Sequence, residues 1–262
     1  MRRYLALARM QARVVLAYRI DYLNGLIGLL LQVFLLAVVW RTVYGERDSV
    51  DGVPLATMLA YVTLASVQGW LFNPWVFTLI PDRVREGRVG IDLVRPVGFV
   101  SQVVAAQVGR TAATAPFALA ALPFAVLLSG MAPPASPLAA VGYLVSLALG
   151  YAVTTVLSVV FGLMTFWTME IGGIFIIYRM VAQFLSGALI PLWFMPGALR
   201  TVAQVLPFQA VTYTPTAIYL GRLDAGAAVL ATGVQCGWVL VLALLARLVW
   251  SRALHRVVVQ GG

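Results

Sequence analysis

The chain has one histidine, His255, one cysteine, Cys236, and no lysine, beside 18 arginines and nine acids. A zinc site built from nitrogen and sulfur ligands needs more such side chains than one chain offers here. A Cys–His nucleophile pair or a disulfide framework meets the same shortage. A phosphate-binding loop of the GxxxxGK type needs its lysine, and so does a Schiff base. No catalytic, cofactor or metal site is therefore expected. His255 reads as a solvated tail residue, and Cys236, inside the last apolar run, as a small buried hydrophobe.

The chemistry that remains is that of charge and of broken backbone. Seven charges crowd into 14 residues, Asp82, Arg83, Arg85, Glu86, Arg88, Asp92 and Arg95, within the segment Pro81 to Gly98. Interleaved with Val84, Val89, Ile91, Leu93 and Val94, they can present a short helix with apolar knobs and charged rims to a protein partner. A solvated turn is the plainer alternative. Arg110 and Arg179 lie inside apolar runs, where an arginine costs about 3 kcal/mol at a helix centre unless it finds water, a partner or the interface. They either snorkel or face a translocation path, and Glu170, nine residues before Arg179, is too distant along a helix to pair with it directly. All nine acids can be assigned to loops or span ends, which disfavours a self-contained proton- or sodium-driven carrier. If the chain moves anything actively, the energy comes from another subunit.

These residues must be positioned by membrane spans. The composition is 62% apolar and 10% charged, with mean hydropathy +0.95, against about 25% charged for a soluble domain. Six apolar runs, roughly Tyr22 to Trp40, Leu55 to Ile80, Val100 to Leu128, Leu138 to Phe166, Gly172 to Trp193 and Ala227 to Val249, predict a single all-α domain over 1–262 with six transmembrane helices. The basic start resembles a signal-peptide n-region, but the first run is too long for an h-region and lacks a clear cleavage site, so it is expected to be retained. Twelve arginines fall on the side of the two termini and the Pro81 to Gly98 loop, four on the other. That bias predicts cytoplasmic termini, and it accounts for the net charge of +9 without nucleic acid.

Two further segments carry a pattern. In residues 1–19, Arg2, Arg9 and Arg13 share one helical face while Tyr4, Leu7, Met10, Val14 and Tyr18 gather on the other, with Gln11 as an imperfection. This predicts an amphipathic interfacial helix. Residues 191–222 contain Pro191, Pro196, Pro207 and Pro215, with apolar pieces too short to cross, and predict short re-entrant or interfacial helices on the outer face. Pro191, Trp193, Phe194, Pro196, Pro207 and Phe208 are candidates for an outer gate. The alternative is an aromatic belt formed by Trp193, Phe194, Phe208, Tyr213 and Tyr219.

The stretches YLALARMQARVVLAYRIDYLNGLIG, GRVGIDLVRPVGF and SGALIPLWFMPGALRTVAQVLPFQAVTYTPTAIYLG resemble the permease subunits of bacterial ATP-binding-cassette exporters of the type-2 superfamily, the small six-span permeases with a separate ATPase. The resemblance covers nearly the whole chain, and the PLWF-P, LPFQ and IYLG pattern is its most distinctive part. It implies a half-transporter of the bacterial plasma membrane, paired with a sister permease or a second copy. It also implies a cytoplasmic ATPase dimer that binds MgATP and contacts a coupling helix at Arg83, Arg85, Glu86, Arg88, Asp92 and Arg95. Closure of that dimer would drive alternating access past the Leu192 to Pro207 gate. Drugs, lipophilic cations, lipids and glycans all occur as substrates of the superfamily. A non-transport scaffold and a channel are the competing classes.

Overall fold

The computed structural model describes residues 2–17, 19–129, 132–168 and 172–260. In chain order the helices are α1 (Arg2–Ala17), α2 (Arg19–Tyr44), α3 (Leu55–Leu71), α4 (Val76–Arg85), α5 (Val89–Val94), α6 (Phe99–Ser129), α7 (Pro137–Leu163), α8 (Thr165–Thr168), α9 (Gly172–Leu185), α10 (Gly197–Val205), α11 (Tyr213–Tyr219) and α12 (Ala225–Gln260). Short 3-10 turns at Leu192–Phe194 and Pro207–Ala210 flank α10. One hairpin, β1 (Ser49–Val50) and β2 (Val53–Pro54), joins α2 to α3. Its two-residue turn, Asp51-Gly52, has φ of 49° and 71°, the left-handed geometry that favours Asp-Gly.

Five helical stretches are long and apolar enough to cross a bilayer: Ile20–Tyr44, Leu55–Arg85, Phe99–Leu128, Pro137–Thr168 and Ala225–Arg256. The expected fifth of six spans, Gly172 to Trp193, is shorter than its apolar run. Helix α9 has 14 residues, about 21 Å at 1.5 Å per residue, against a hydrocarbon core of about 30 Å. It stops because Gly187 takes φ +80° and Pro191 follows. A Cβ at Gly187 would press on Leu192 and on the Tyr61 hydroxyl, which donates to the Gly187 carbonyl at 2.8 Å. The expected second span is likewise divided, α3 from α4, at Phe72–Trp75 beside Pro74.

Pairings along the bundle give its direction. Gln235 of α12 meets Ser146 of α7, and further along Trp250 meets Phe166 just past α7, so α7 and α12 run the same way. The chain between them must therefore return from one end of the bundle to the other, which α9 and residues 186–224 do together. Arg41 near the end of α2 donates to the Leu128 carbonyl near the end of α6, and Trp250 stacks on Phe99 at the start of α6. The beginning of α2 and the end of α12 thus both lie toward the end of the bundle where α6 begins.

Burial divides the helices. Met58 through Gln68 of α3 are all buried, making it the central helix, whereas α2 and α12 expose most of their apolar surface, as bilayer-facing helices do. Cys236 corrects the expectation of burial: it is exposed on α12, next to the buried Gln235. Helix α6 continues through Pro116 and Pro123 and buries Ala105, Ala106, Ala113, Ala118, Ala121 and Ala125 against its neighbours. Such small residues let neighbouring backbones approach. Helix α1 uses this: it lies along α6, and a Cβ on Gly109 would overlap the Ala8 carbonyl. The packed stripe of α1 is Ala8, Gln11, Ala12 and the fully buried Val15, while Arg9, Arg13, Tyr4, Met10 and Val14 remain exposed. The helix is three-sided rather than two-sided, and Gln11, which reads as an imperfection, belongs to the packed side. Tyr18 and the side chain of Arg2 lie outside the described residues.

Candidate functional site

The charged connection between α4 and α6 is built around one buried carboxylate. Asp92 of α5 accepts from Arg83 Nη1 at 2.6 Å and from Arg95 Nη1 at 3.2 Å. Gln102, fully buried on α6, donates through Nε2 to the Asp92 carbonyl at 2.9 Å and to the Val97 carbonyl at 2.8 Å. Val89 inserts into the core formed by Val76, Ile80, Phe99, Val103 and Leu163. The candidate coupling residues therefore separate by role. Arg83, Asp92 and Arg95 hold the turn in shape, while Arg85, Glu86 and Arg88 are exposed, with Arg88 and Glu86 paired at 2.8 Å. Beside them Ile91 and Val94 of α5 are 65% and 86% exposed, apolar side chains at a charged rim.

The candidate gate residues do not form one cluster. Trp193 packs edge-on against Tyr61 at 4.9 Å and lies 5.7 Å from Tyr213, with the Arg222 guanidinium 5.3 Å from its ring. Phe194 stacks on Trp40 at 5.7 Å. Both are thus fixed to α2 and α3. Phe208 instead sits 6.2 Å from Tyr178 of α9. Pro191 and Pro207 are buried and each precedes or opens a 3-10 turn, whereas Pro196 is exposed ahead of α10.

Two cavities lie between these regions. The larger, about 570 Å³, is walled by α2, α3, α9 and the segment around Phe208 and Thr212. Its lining includes Gln32, Ser66, Trp70, Tyr178, Arg179 and Gln183. The smaller, about 320 Å³, is lined by Asp21, Tyr22, Asn73, Arg110, Thr111 and Thr114 among others. Gly25, Trp70 and Asn73 line both, so the cavities adjoin. Pockets that take small ligands span about 300–1,000 Å³.

The two arginines at depth are held differently. Arg110 lies over two rings, 5.4 Å from Tyr22 and 5.0 Å from Trp75, an arrangement worth roughly 1–2 kcal/mol as cation–π contact. Arg179 is exposed, is among the residues that line the larger cavity, and has no ion pair or hydrogen bond among the described residues. Glu170 lies outside the described residues. No group of His, Cys, Asp and Glu among the described residues could hold a metal.

Sequence reasoning missed the amides. Four glutamines buried in spanning helices hydrogen-bond to other elements of the bundle. Besides Gln102, Gln107 donates to the Asn73 carbonyl at the break between α3 and α4. Gln235 donates to the Ala210 carbonyl at 2.7 Å while accepting from Ser146, and Gln68 donates to Tyr143 and to Thr216 of α11. Non-helical backbone at membrane depth needs such partners. The available signal was a glutamine inside an apolar run.

No curated protein and no solved structure matches the chain. The model of the family described as ABC-2 family transporter protein matches residues 29–261, from within α2 to beyond the end of α12. The many-spanning helical bundle, with its charged connection and its cavity, is thus the membrane domain of a transport system, and the chain belongs to the ABC-2 transporter family.

Proposed function

We propose that the chain is the membrane-spanning half of an ATP-driven exporter, powered through residues 81–98 by a separate cytoplasmic ATPase that binds MgATP. It pairs with a second permease, a sister subunit before a second copy, in the bacterial plasma membrane with both termini in the cytoplasm. The observation that carries this reading is the exposure of Ile91 and Val94 on a turn whose base is fixed by the Asp92 clamp. A knob on a rigid base transmits displacement, whereas a floppy loop absorbs it. The exposed Arg88–Glu86 pair beside the knob supplies the charge pattern that sets register on a partner. ATPase closure would move α4, and with it α3 and α7, so that the larger cavity opens past Trp193 and Phe208.

The test is reconstitution of the permease with its ATPase. Reversing Arg85 and Glu86 to oppositely charged residues, or placing Asp at Ile91 and Val94, is expected to uncouple ATP hydrolysis from export while the thermal unfolding of the permease is unchanged. Full transport and an intact complex in both variants would remove the loop from the coupling path. Absence of substrate-stimulated ATPase activity in the unaltered complex would point to a scaffold, and flux without nucleotide to a channel.

A further inference from the structure

The two cavities differ in charge. In the smaller one Arg110 faces a wall that also contains Asp21, so the formal charges balance. In the larger one Arg179 is the sole formal charge among the described lining residues. Ser66 of α3 also lines this cavity, buried, with its Oγ lacking any hydrogen-bond partner. A guanidinium on α9 and an unpaired hydroxyl on α3 thus line one cavity, together with neutral polar residues such as Gln32 and Gln183 and apolar ones such as Leu29, Phe175 and Phe208. A cation placed here meets a like charge, while a neutral oil leaves Arg179 unpaired. An anionic head with an apolar body fits the cavity, because the head accepts from Arg179 while the body displaces water from the rings.

We infer that the cargo is an amphiphile with an anionic head, and that Arg179 binds that head in the cavity between α2, α3 and α9. This rests on the export reading above. The shared chemistry is a carboxylate or phosphate on an apolar tail, whether from a free amphiphile or from a bilayer lipid.

The experiment uses the full-length permease in neutral detergent and reads quenching of tryptophan fluorescence by brominated probes, since Trp70 lines the cavity. Bromoundecanoate and brominated phosphatidylglycerol are the anionic arms, and bromoundecyl-trimethylammonium is the cationic arm. The expected result is quenching by an anion at a concentration about ten-fold lower than by the cation, the scale of one charge pair in a partly solvated site. The anion that quenches more strongly identifies the free or the lipid source. Arg179→Gln is expected to abolish the preference and Arg179→Lys to retain it. Trp70→Phe is expected to remove most of the quenched signal. Equal quenching by both charges, a preference for the cation, or undiminished quenching in the Trp70→Phe protein would each overturn the assignment. With the ATPase added in vesicles, nucleotide-driven flux of the cation alone would also overturn it and leave export intact. Anion binding without any driven flux would support the binding assignment and sink the export reading alone.

Discussion

The charged connection, residues 81–98, and the proline-broken segment, residues 191–222, inner and outer in the orientation proposed above, both interrupt a helical bundle, yet they are stabilised by different means. The inner turn closes on charge: Asp92 between Arg83 and Arg95, backed by a single amide, Gln102. The outer segment has no ion pair among the described residues and is held by aromatic contacts and by hydrogen bonds to carbonyls, one of them from Arg200 to Leu192 at 2.9 Å. Trp193 sits among Tyr61, Tyr213 and the guanidinium of Arg222, and Gln235 and Gln68 reach in from the helices. The difference follows from solvent. Around the inner turn, arginines such as Arg85, Arg88 and Arg95 are exposed, so the ions are solvated on one side. Where the outer segment enters the bundle, an unpaired ion would cost more than an amide that satisfies a carbonyl. Charge leaves the inner turn able to address a protein partner, and packing leaves the outer one able to shift as a block.

That contrast can be broken one residue at a time. The largest effect is expected from Asp92→Ala, which leaves Arg83 in a largely buried position without its partner. Removing one member of a buried pair costs about 3–5 kcal/mol, and limited proteolysis should cut first within residues 86–98. Gln235→Leu should follow, leaving the Ala210 carbonyl and Ser146 unpaired at a cost of about 1–3 kcal/mol, read as a lower thermal midpoint in detergent. Tyr61→Phe removes one donor to Gly187 and should cost about 1 kcal/mol. It should loosen the outer segment alone, as hydrogen exchange at residues 187–195 would report. Arg88→Ala is expected to cost under about 1 kcal/mol because its pair with Glu86 is exposed, so any larger loss should appear in ATPase coupling and not in the melt. Should Arg88→Ala destabilise as much as Asp92→Ala, the division of the inner turn into clamp and contact surface would be wrong.

Much of this was legible beforehand. The apolar runs located α2, α6, α7 and α12 closely, because length and hydropathy alone determine whether a helix can span a bilayer. The run from Gly172 gave no warning that α9 would stop at Leu185. Hydropathy does not register the left-handed turn at Gly187, and the apolar residues after it enter 3-10 turns instead of more helix. Charge density pointed to residues 81–98, but spacing could not separate the buried Asp92 from the exposed Arg88, since that depends on Gln102 from the next helix. Arg110 and Arg179 looked alike as sequence. One is capped by two rings and the other opens on a cavity, a distinction made by residues distant in the chain.

The orientation of Cys236 has a practical outcome. It is the lone thiol of the polypeptide and projects away from the helix pair that Gln235 joins to Ser146. A maleimide spin label or fluorophore could be attached there without first building a thiol-free background. Polarity-sensitive spectra from that label would report in real time whether the surroundings of α12 at that point change through a nucleotide cycle.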